Sequence, residues 1–339
     1  MSANTPTALG TDTMPAWTQH RYGEADAVRR ETVDVPAPGR GEVLLRLRAT
    51  GLNNGDIRVM RGEPLLVRLA FVLHRPRQPV RGMDAAATVV AIGDGVTGVS
   101  VGDEVVCELP AGGGLAAYAL APASRLVSRP GALAPGVAAA LPVAGGTAWQ
   151  ALARGDAASG HRVLVIGASG GVGTFVVQLA ALRGAEVWAL CGERSRAVVG
   201  GLGAARTFDY HRVQPGAPEL EDGTFDVVVD IAGTAPLRVL QRLARDGGRV
   251  VLVSGEGGRV LGPIGRIMRA ALLSIGSRRP LRPLAATAKP EVLSELVALA
   301  AAGSLRPVIE QTFVFGDAPA ALAHVAAGHV VGKVVVTAG

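Results

Sequence analysis

The chain has 339 residues, 49% of them hydrophobic and 18% charged, a balance that excludes a disordered polypeptide. At roughly 100–200 residues per domain it should form two globular domains, and with aromatics at only 4% their cores must be built from Ala, Val and Leu. The formal charge of +6 comes almost wholly from scattered arginines, Lys289 and Lys333 being the only lysines. Nucleic-acid binders cluster their cations on one face or tail, so no nucleic acid is expected as a partner.

Residues 1–13 are polar, lack a basic start followed by an apolar core, and read as a frayed tail rather than a secretory signal. The next segments are Val-rich and glycine-bounded. Residues 43–52 and 85–93 are predicted strands, and 93–106 is read as a turn, a short strand, a second turn and another strand. This spacing suits a compact β domain. The uncharged stretches 131–153 and 163–182 are broken by prolines or glycines and read as buried elements, not membrane spans. A cytoplasmic location is expected. Cys107 and Cys191 are the only cysteines, which excludes a disulfide scaffold and a Cys-rich structural zinc lobe.

From about residue 145 strands and helices alternate. Strands are predicted at 162–167, 185–191, 225–233 and 248–255, and helices at 170–184, 195–204 and 236–247. Apolar strands alternating with helices imply a parallel sheet covered on both faces. A further helix is predicted over 290–303, and a last strand over 333–339 either extends that sheet or returns to the β domain.

The strongest motif is RVLVIGASGGVG, an apolar strand running into Gly167, Ser169, Gly170, Gly171, Val172 and Gly173 at the start of a helix. Glycines here permit a tight turn and let a pyrophosphate approach the helix N-terminus, whose free amides favour anions. The second strand ends at Cys191, followed by Gly192, Glu193, Arg194, Ser195 and Arg196. A carboxylate at such a corner bonds the ribose of NAD, whereas an Arg accommodates the 2′-phosphate of NADP. Arg194 and Ser195 favour NADPH, with Ser195 donating to the phosphate and Arg196 in reserve; Glu193 argues for NADH.

ATGLNNGDIRVMRG (49–62), RGMDAAATVVAIGDGVTGVSVGDEV (81–105), LPVAGGTAWQAL (141–152), GASGGVG (167–173), LGAARTFDY (202–210), DVVVDIAG (226–233) and GHVVGKVVV (328–336) occur in that order. With these motifs the sequence resembles the zinc-independent, quinone oxidoreductase-like branch of the medium-chain dehydrogenase/reductases, over nearly the whole chain from about residue 16. The resemblance implies an α/β protein: a GroES-like β-barrel catalytic domain (14–142), a Rossmann doubly wound parallel sheet (143–289), and a return segment (290–339) completing the catalytic domain. It implies a cofactor site including Thr147, Tyr210, Ala232, Val253, Ser254 and Lys333, and a homodimer paired through the edge of the Rossmann sheet.

Zinc-using relatives need thiolate and imidazole ligands. The matching segments here read Asn53-Asn54-Gly55-Asp56 and Arg81-Gly82-Met83-Asp84, with neither Cys nor His, so a metal-free enzyme is expected. Hydride would then pass from NADPH to an electron-poor small molecule, an activated alkene, enone or quinone. Relatives with a tyrosine proton donor carry it where this chain has Arg58, Glu63 or Leu65. Asn53 and Asp56 remain as catalytic candidates, against the alternative that they only fix their loop. A non-catalytic NADPH-binding scaffold is the competing reading. The Arg-rich apolar segment 259–282 is read as a surface helix, a substrate lid or subunit contact, or a membrane-associating surface.

Overall fold

The computed structural model describes residues 12–65, 76–253 and 262–338. The tail expected over 1–13 therefore lies almost wholly outside the described residues, as do Ser254 and Arg259. The described chain opens with a hairpin, β1 (Thr13–Gln19) paired antiparallel with β2 (Val28–Asp34). The long strand β3 (Glu42–Leu52) runs into α1 (Asn54–Arg61), which Gly62 stops in the left-handed conformation at φ 65°. Then come β4 (Asp84–Ile92), β5 (Glu104–Glu108), β6 (Tyr118–Pro122) and the short β7 (Val127–Ser128). No strand forms between β4 and β5, although the sequence suggested one. Gly95, Gly98 and Gly102 all have positive φ (75°, 75° and 97°), which turns the chain too often for a ladder to extend.

Two Pro-initiated helices, α2 (Pro135–Ala139) and α3 (Pro142–Arg154), lead into the second sheet. It is built from β8 (Arg162–Ile166), α4 (Gly171–Leu182), β9 (Glu186–Cys191), α5 (Arg196–Gly201), β10 (Ala204–Asp209), β11 (Phe225–Asp230), α6 (Leu237–Leu243), β12 (Ala244–Leu252), α7 (Ile264–Ser274) and β13 (Leu281–Pro283). The helix expected over 236–247 ends at Leu243, because Ala244 already pairs with Phe225 and sheet pairing overrides local propensity. After α8 (Pro290–Ala301), β14 (Ile309–Val314) and α9 (Ala318–Ala326), the chain closes on β15 (Lys333–Thr337).

The second sheet has the parallel order β10-β9-β8-β11-β12-β13. Ile166 is level with Leu190 on one side and Asp230 on the other, so three strands end together where the strand order reverses. Such a reversal opens a crevice beyond the carboxyl ends, the usual ligand site of doubly wound sheets. Both faces of the sheet are buried: Val163, Val165, Val227 and Val229 pack on one, Leu164 and Val228 with Phe225 on the other.

The first sheet has the order β14-β15-β3-β4-β5-β7, with β6 also on β3. β3 divides its edge: Leu44 faces Leu120 of β6, while Leu52 faces Val334 of β15. The last strand thus returns to the N-terminal sheet and does not extend the parallel one. The two layers meet on small residues, with Ala138, Ala139, Ala140, Leu141 and Ala144 joining Ala49 and Ala86 in one buried cluster. A Cβ on Gly51 would lie 2.3 Å from the Ala139 carbonyl, so this approach requires glycine. Among the described residues no helix is long and apolar enough to cross a membrane.

Candidate cofactor cleft and active site

A cleft of about 410 Å³ opens at the strand reversal, between the two sheets. Its floor is the turn from β8 to α4. Gly167 has φ 88°, which a Cβ would strain, and a Cβ on Gly173 would stand 2.2 Å from the Gly167 carbonyl oxygen. Strand and helix therefore pack closer than any side chain permits. Gly170, the residue preceding α4, brings no side chain to the first helical amides. They are left for an anion, and the glycines leave room for it.

The C-terminal segment closes the other side. The Gly332 amide donates to the Ser169 carbonyl at 2.8 Å, and Gly170 bridges Gly332. A Cβ on Gly171 would lie 3.1 Å from Lys333 Cδ. Lys333 is 2% exposed, yet its Nζ donates to the Leu52 carbonyl at 2.9 Å and to Asn53 Oδ1, and stands 3.3 Å from Asp84 Oδ2. Asn53 Nδ2 donates to the same Asp84 oxygen at 2.9 Å, and the Val143 amide donates to Asp84 Oδ1 at 3.0 Å. Burial raises the Asp84 carboxyl, with Lys333 and the amide donors opposing.

Both predicted catalytic candidates carry structural duties. Asn53 lines the cleft, but its amide bridges Lys333 and Asp84. Asp56 accepts the Asn53 and Gly82 amides at 2.9 Å each, capping α1 and tying it to the segment before β4. It does not line the cleft but, with Val59 of the same helix, lines a second cavity. Burial lifts its carboxyl to about 6 against those two amide bonds.

Of the expected cofactor residues, Ser169, Gly170, Gly171, Val172, Gly192, Arg194, Ser195, Tyr210, Ala232 and Lys333 all line this one cleft. Tyr210 is 40% exposed, its amide bonded to the Cys191 carbonyl at 3.0 Å, and its ring rests against Gly192. Ile231 and Ala232 hang from the Ile166 carbonyl. Thr147 lies on α3 beyond Val143 and Ala144, which reach the cleft where it does not, and Val253 packs against the core from beside Asp230. Ser254 is outside the described residues.

The corner after β9 departs from expectation in one respect. The Ser195 hydroxyl is buried and donates to the Gly192 carbonyl at 2.8 Å, so its proton shapes the turn and is not offered to a ligand. Arg196 pairs with Glu193 at 3.1 Å and bonds Thr207 at 3.3 Å, which turns Glu193 towards the first residue of the following helix α5. Arg194 remains 63% exposed over the cleft, bonded to the His329 carbonyl and 3.8 Å from Glu310.

Two contributions escaped the sequence reading. The stretch Gly328 to Gly332 lines the cleft opposite the glycine turn, although only Lys333 was drawn from that motif. Asp84, in a segment that holds zinc ligands in zinc-using relatives, is the counter-ion of Lys333. The signal was present: a lone lysine in an apolar strand must find a buried partner. The two segments that hold zinc ligands in zinc-using relatives, 53–56 and 81–84, here supply neither thiolate nor imidazole, and the Met83 Sδ lies against Gly55. Among the described residues no group of three or more His, Cys, Asp or Glu is placed to hold a metal, and burial pushes the Cys107 thiol to about 12.

A doubly wound sheet with a glycine turn, facing a second sheet across a cleft, defines a two-domain dinucleotide-binding fold. The alcohol dehydrogenase GroES-like domain matches residues 39–131, and the zinc-binding dehydrogenase domain matches 202–336. A chloroplastic quinone oxidoreductase of Triphysaria versicolor is 35% identical over 324 residues, covering 93% of this chain and 95% of its own. A chloroplastic NADPH-dependent alkenal/one oxidoreductase of Arabidopsis thaliana is 28% identical over 336 residues, covering 95% and 79%. The quinone oxidoreductase structure from Coxiella burnetii superposes with a TM-score of 0.85 at 25% identity, covering 96% and 99%. The chain belongs to the quinone oxidoreductase-like medium-chain dehydrogenase/reductases, a superfamily of oxidoreductases.

Proposed function

We propose that this protein is an NADPH-dependent, metal-free reductase of polarised C=C bonds or quinones. The observation that carries it is an anion-receptive glycine turn and the exposed Arg194 lining one cleft, beside which the segments that hold zinc ligands in zinc-using relatives supply Asn53 and Met83. The residues fit the dinucleotide. The amides at the start of α4 would receive the pyrophosphate, Arg194 the 2′-phosphate, and Tyr210 the adenine side. NADPH bound there supplies a hydride, and the chain's own task is to hold an acceptor in line and keep water out. A carbonyl reduction aided by a Lewis acid would need thiolate, imidazole or carboxylate ligands that Asn53 and Met83 do not supply. Relatives named for quinone and alkenal/one reduction support the same acceptor class.

The test is absorbance at the reduced nicotinamide band with NADPH and a panel of enones and quinones. Steady oxidation that chelators leave unchanged is the expected result. Tight NADPH binding with no turnover on any acceptor would favour a binding module, a reading to which the full engagement of Asn53 lends some support.

A homodimer goes with this reading. β13 is the end strand of its sheet, and α7 beside it exposes Met268 and Leu272, with Ile275 just beyond its end. Among the described residues the outer edge of β13 pairs with no strand, and an open edge next to an apolar helix face suits a second copy of the chain.

A further inference from the structure

A second cavity, of about 430 Å³, adjoins the cofactor cleft at α1: Asp56 and Val59 line it, while the preceding Asn54 and Gly55 line the cleft. Tyr22, Asp56, Val59, Arg77, Arg81 and Met83 contribute to its wall. It is not remote from the chemistry: Met83 lines this cavity, its Sδ packs on Gly55, and Gly55 lines the cleft. The two spaces therefore meet at Gly55 and Met83.

The unusual group is Arg81. The residue is only 5% exposed. One end of its guanidinium donates to the Gln78 carbonyl, while its buried Nε–H has no acceptor among the described residues. Asp56 is the nearby carboxylate, but it makes no ion pair with Arg81, and both its oxygens are taken by the Asn53 and Gly82 amides. A buried cation with an unfilled donor and no bonded counter-ion is costly unless a ligand completes it. An arginine fork matches a carboxylate in shape and charge. Arg77, on the same wall, adds to the positive potential.

We propose that this cavity binds a small carboxylate, with Arg81 as its anchor, and that the acceptor reduced by the enzyme carries such a group. The second half rests on the reductase reading above. The acceptor's C=C takes a hydride from NADPH at one carbon and a proton from water at the other, leaving a saturated product and NADP. The carboxylate itself is unchanged and serves only to hold the acceptor.

The experiment compares 4-oxo-2-pentenoate with its methyl ester as acceptors, and follows binding of the saturated 4-oxopentanoate by calorimetry without NADPH. The wild-type protein should prefer the acid by at least about 10-fold in kcat/KM, the worth of a charge-assisted contact to a buried guanidinium. It should bind 4-oxopentanoate but not its ester. Arg81→Met should bring the acid-to-ester ratio to about one and abolish calorimetric binding; Arg81→Lys should retain part of both. An ester-preferring wild type, or 4-oxopentanoate binding equally to wild type and Arg81→Met, overturns the assignment. If 4-oxopentanoate binds through Arg81 and no acceptor is reduced, the carboxylate site stands and the reductase reading falls.

Discussion

Lys333 and Asp84 form an ion pair sealed from solvent, Nζ to Oδ2 at 3.3 Å, with the two side chains 2% and 0% exposed. The pair joins the final strand to the strand that follows α1, and Asn53 bonds both partners. One buried charge thus holds the C-terminal segment against the glycine turn and fixes the N-terminal end of α1.

Removing one partner leaves the other charge buried and unpaired. Lys333→Met should lower unfolding stability by about 3–5 kcal/mol, while Lys333→Met with Asp84→Leu should recover most of that loss. Urea unfolding of the two variants checks this. Equal destabilisation of both would show that the pair contributes only through packing.

The glycine turn separates a folding role from a binding role. Gly173→Ala puts a Cβ 2.2 Å from the Gly167 carbonyl and should cost about 1–3 kcal/mol by overpacking. Gly170→Ala meets only the Gly167 oxygen at 3.8 Å, so it should leave stability nearly unchanged and weaken dinucleotide binding by steric exclusion. Thermal unfolding alongside NADPH titration distinguishes the two.

Arg194 is well exposed, so solvent weakens its contact with a 2′-phosphate. Arg194→Ala should weaken NADPH by about 5- to 20-fold and leave NADH nearly unaltered. Glu193→Ala should leave NADPH binding equal or better, because it removes a like charge. Fluorescence titration with both dinucleotides reads this directly. A wild-type preference for NADH that Glu193→Ala abolishes would make Glu193 the ribose ligand.

Burial, aided by Asp84 and opposed by Arg125, pushes the Glu108 carboxyl up to about 7 from an ordinary 4.5. The folded state then holds this proton more tightly than the unfolded chain. Its contribution is complete below about pH 4.5 and is lost as the pH rises to about 7. Glu108→Gln mimics the protonated form throughout. It should match the wild type near pH 4.5 and exceed it at pH 8 by about 1–2 kcal/mol, allowing for solvent around a half-buried group. Denaturant midpoints at both pH values test the sign.

The apolar side of α7 and the open edge of β13 predict a particle of about twice 34.5 kDa. Light scattering at micromolar concentration measures it, and a monomer there would remove the dimer proposal. Charged substitutions at Met268 and Leu272, both more than half exposed, should dissociate the dimer and leave the fold intact.

Much of the architecture was legible in the sequence, for local reasons. The apolar strand ending at Ile166, the glycines after it and the helix behind them specify a strand-turn-helix unit whose chemistry needs no distant partner. Its neighbours Gly192, Arg194 and Tyr210 follow from strand ends that parallel pairing brings to one level. Absent thiolates and imidazoles at Asn53 and Met83 could be read from residue type alone. That the last segment rejoins the first domain followed from the resemblance of the whole chain to its family. What only the tertiary structure decided are relations between residues far apart in the chain: the register by which β15 takes its share of the β3 edge; the Asp84 partner of Lys333; and the cavity that Asp56 and Arg81 share. The spending of the Ser195 proton on Gly192 is local, but rests on a side-chain rotamer that residue type does not specify. Hydrophobic periodicity records which face is buried. It does not record which buried polar group meets which, because that depends on how two independently formed layers come together.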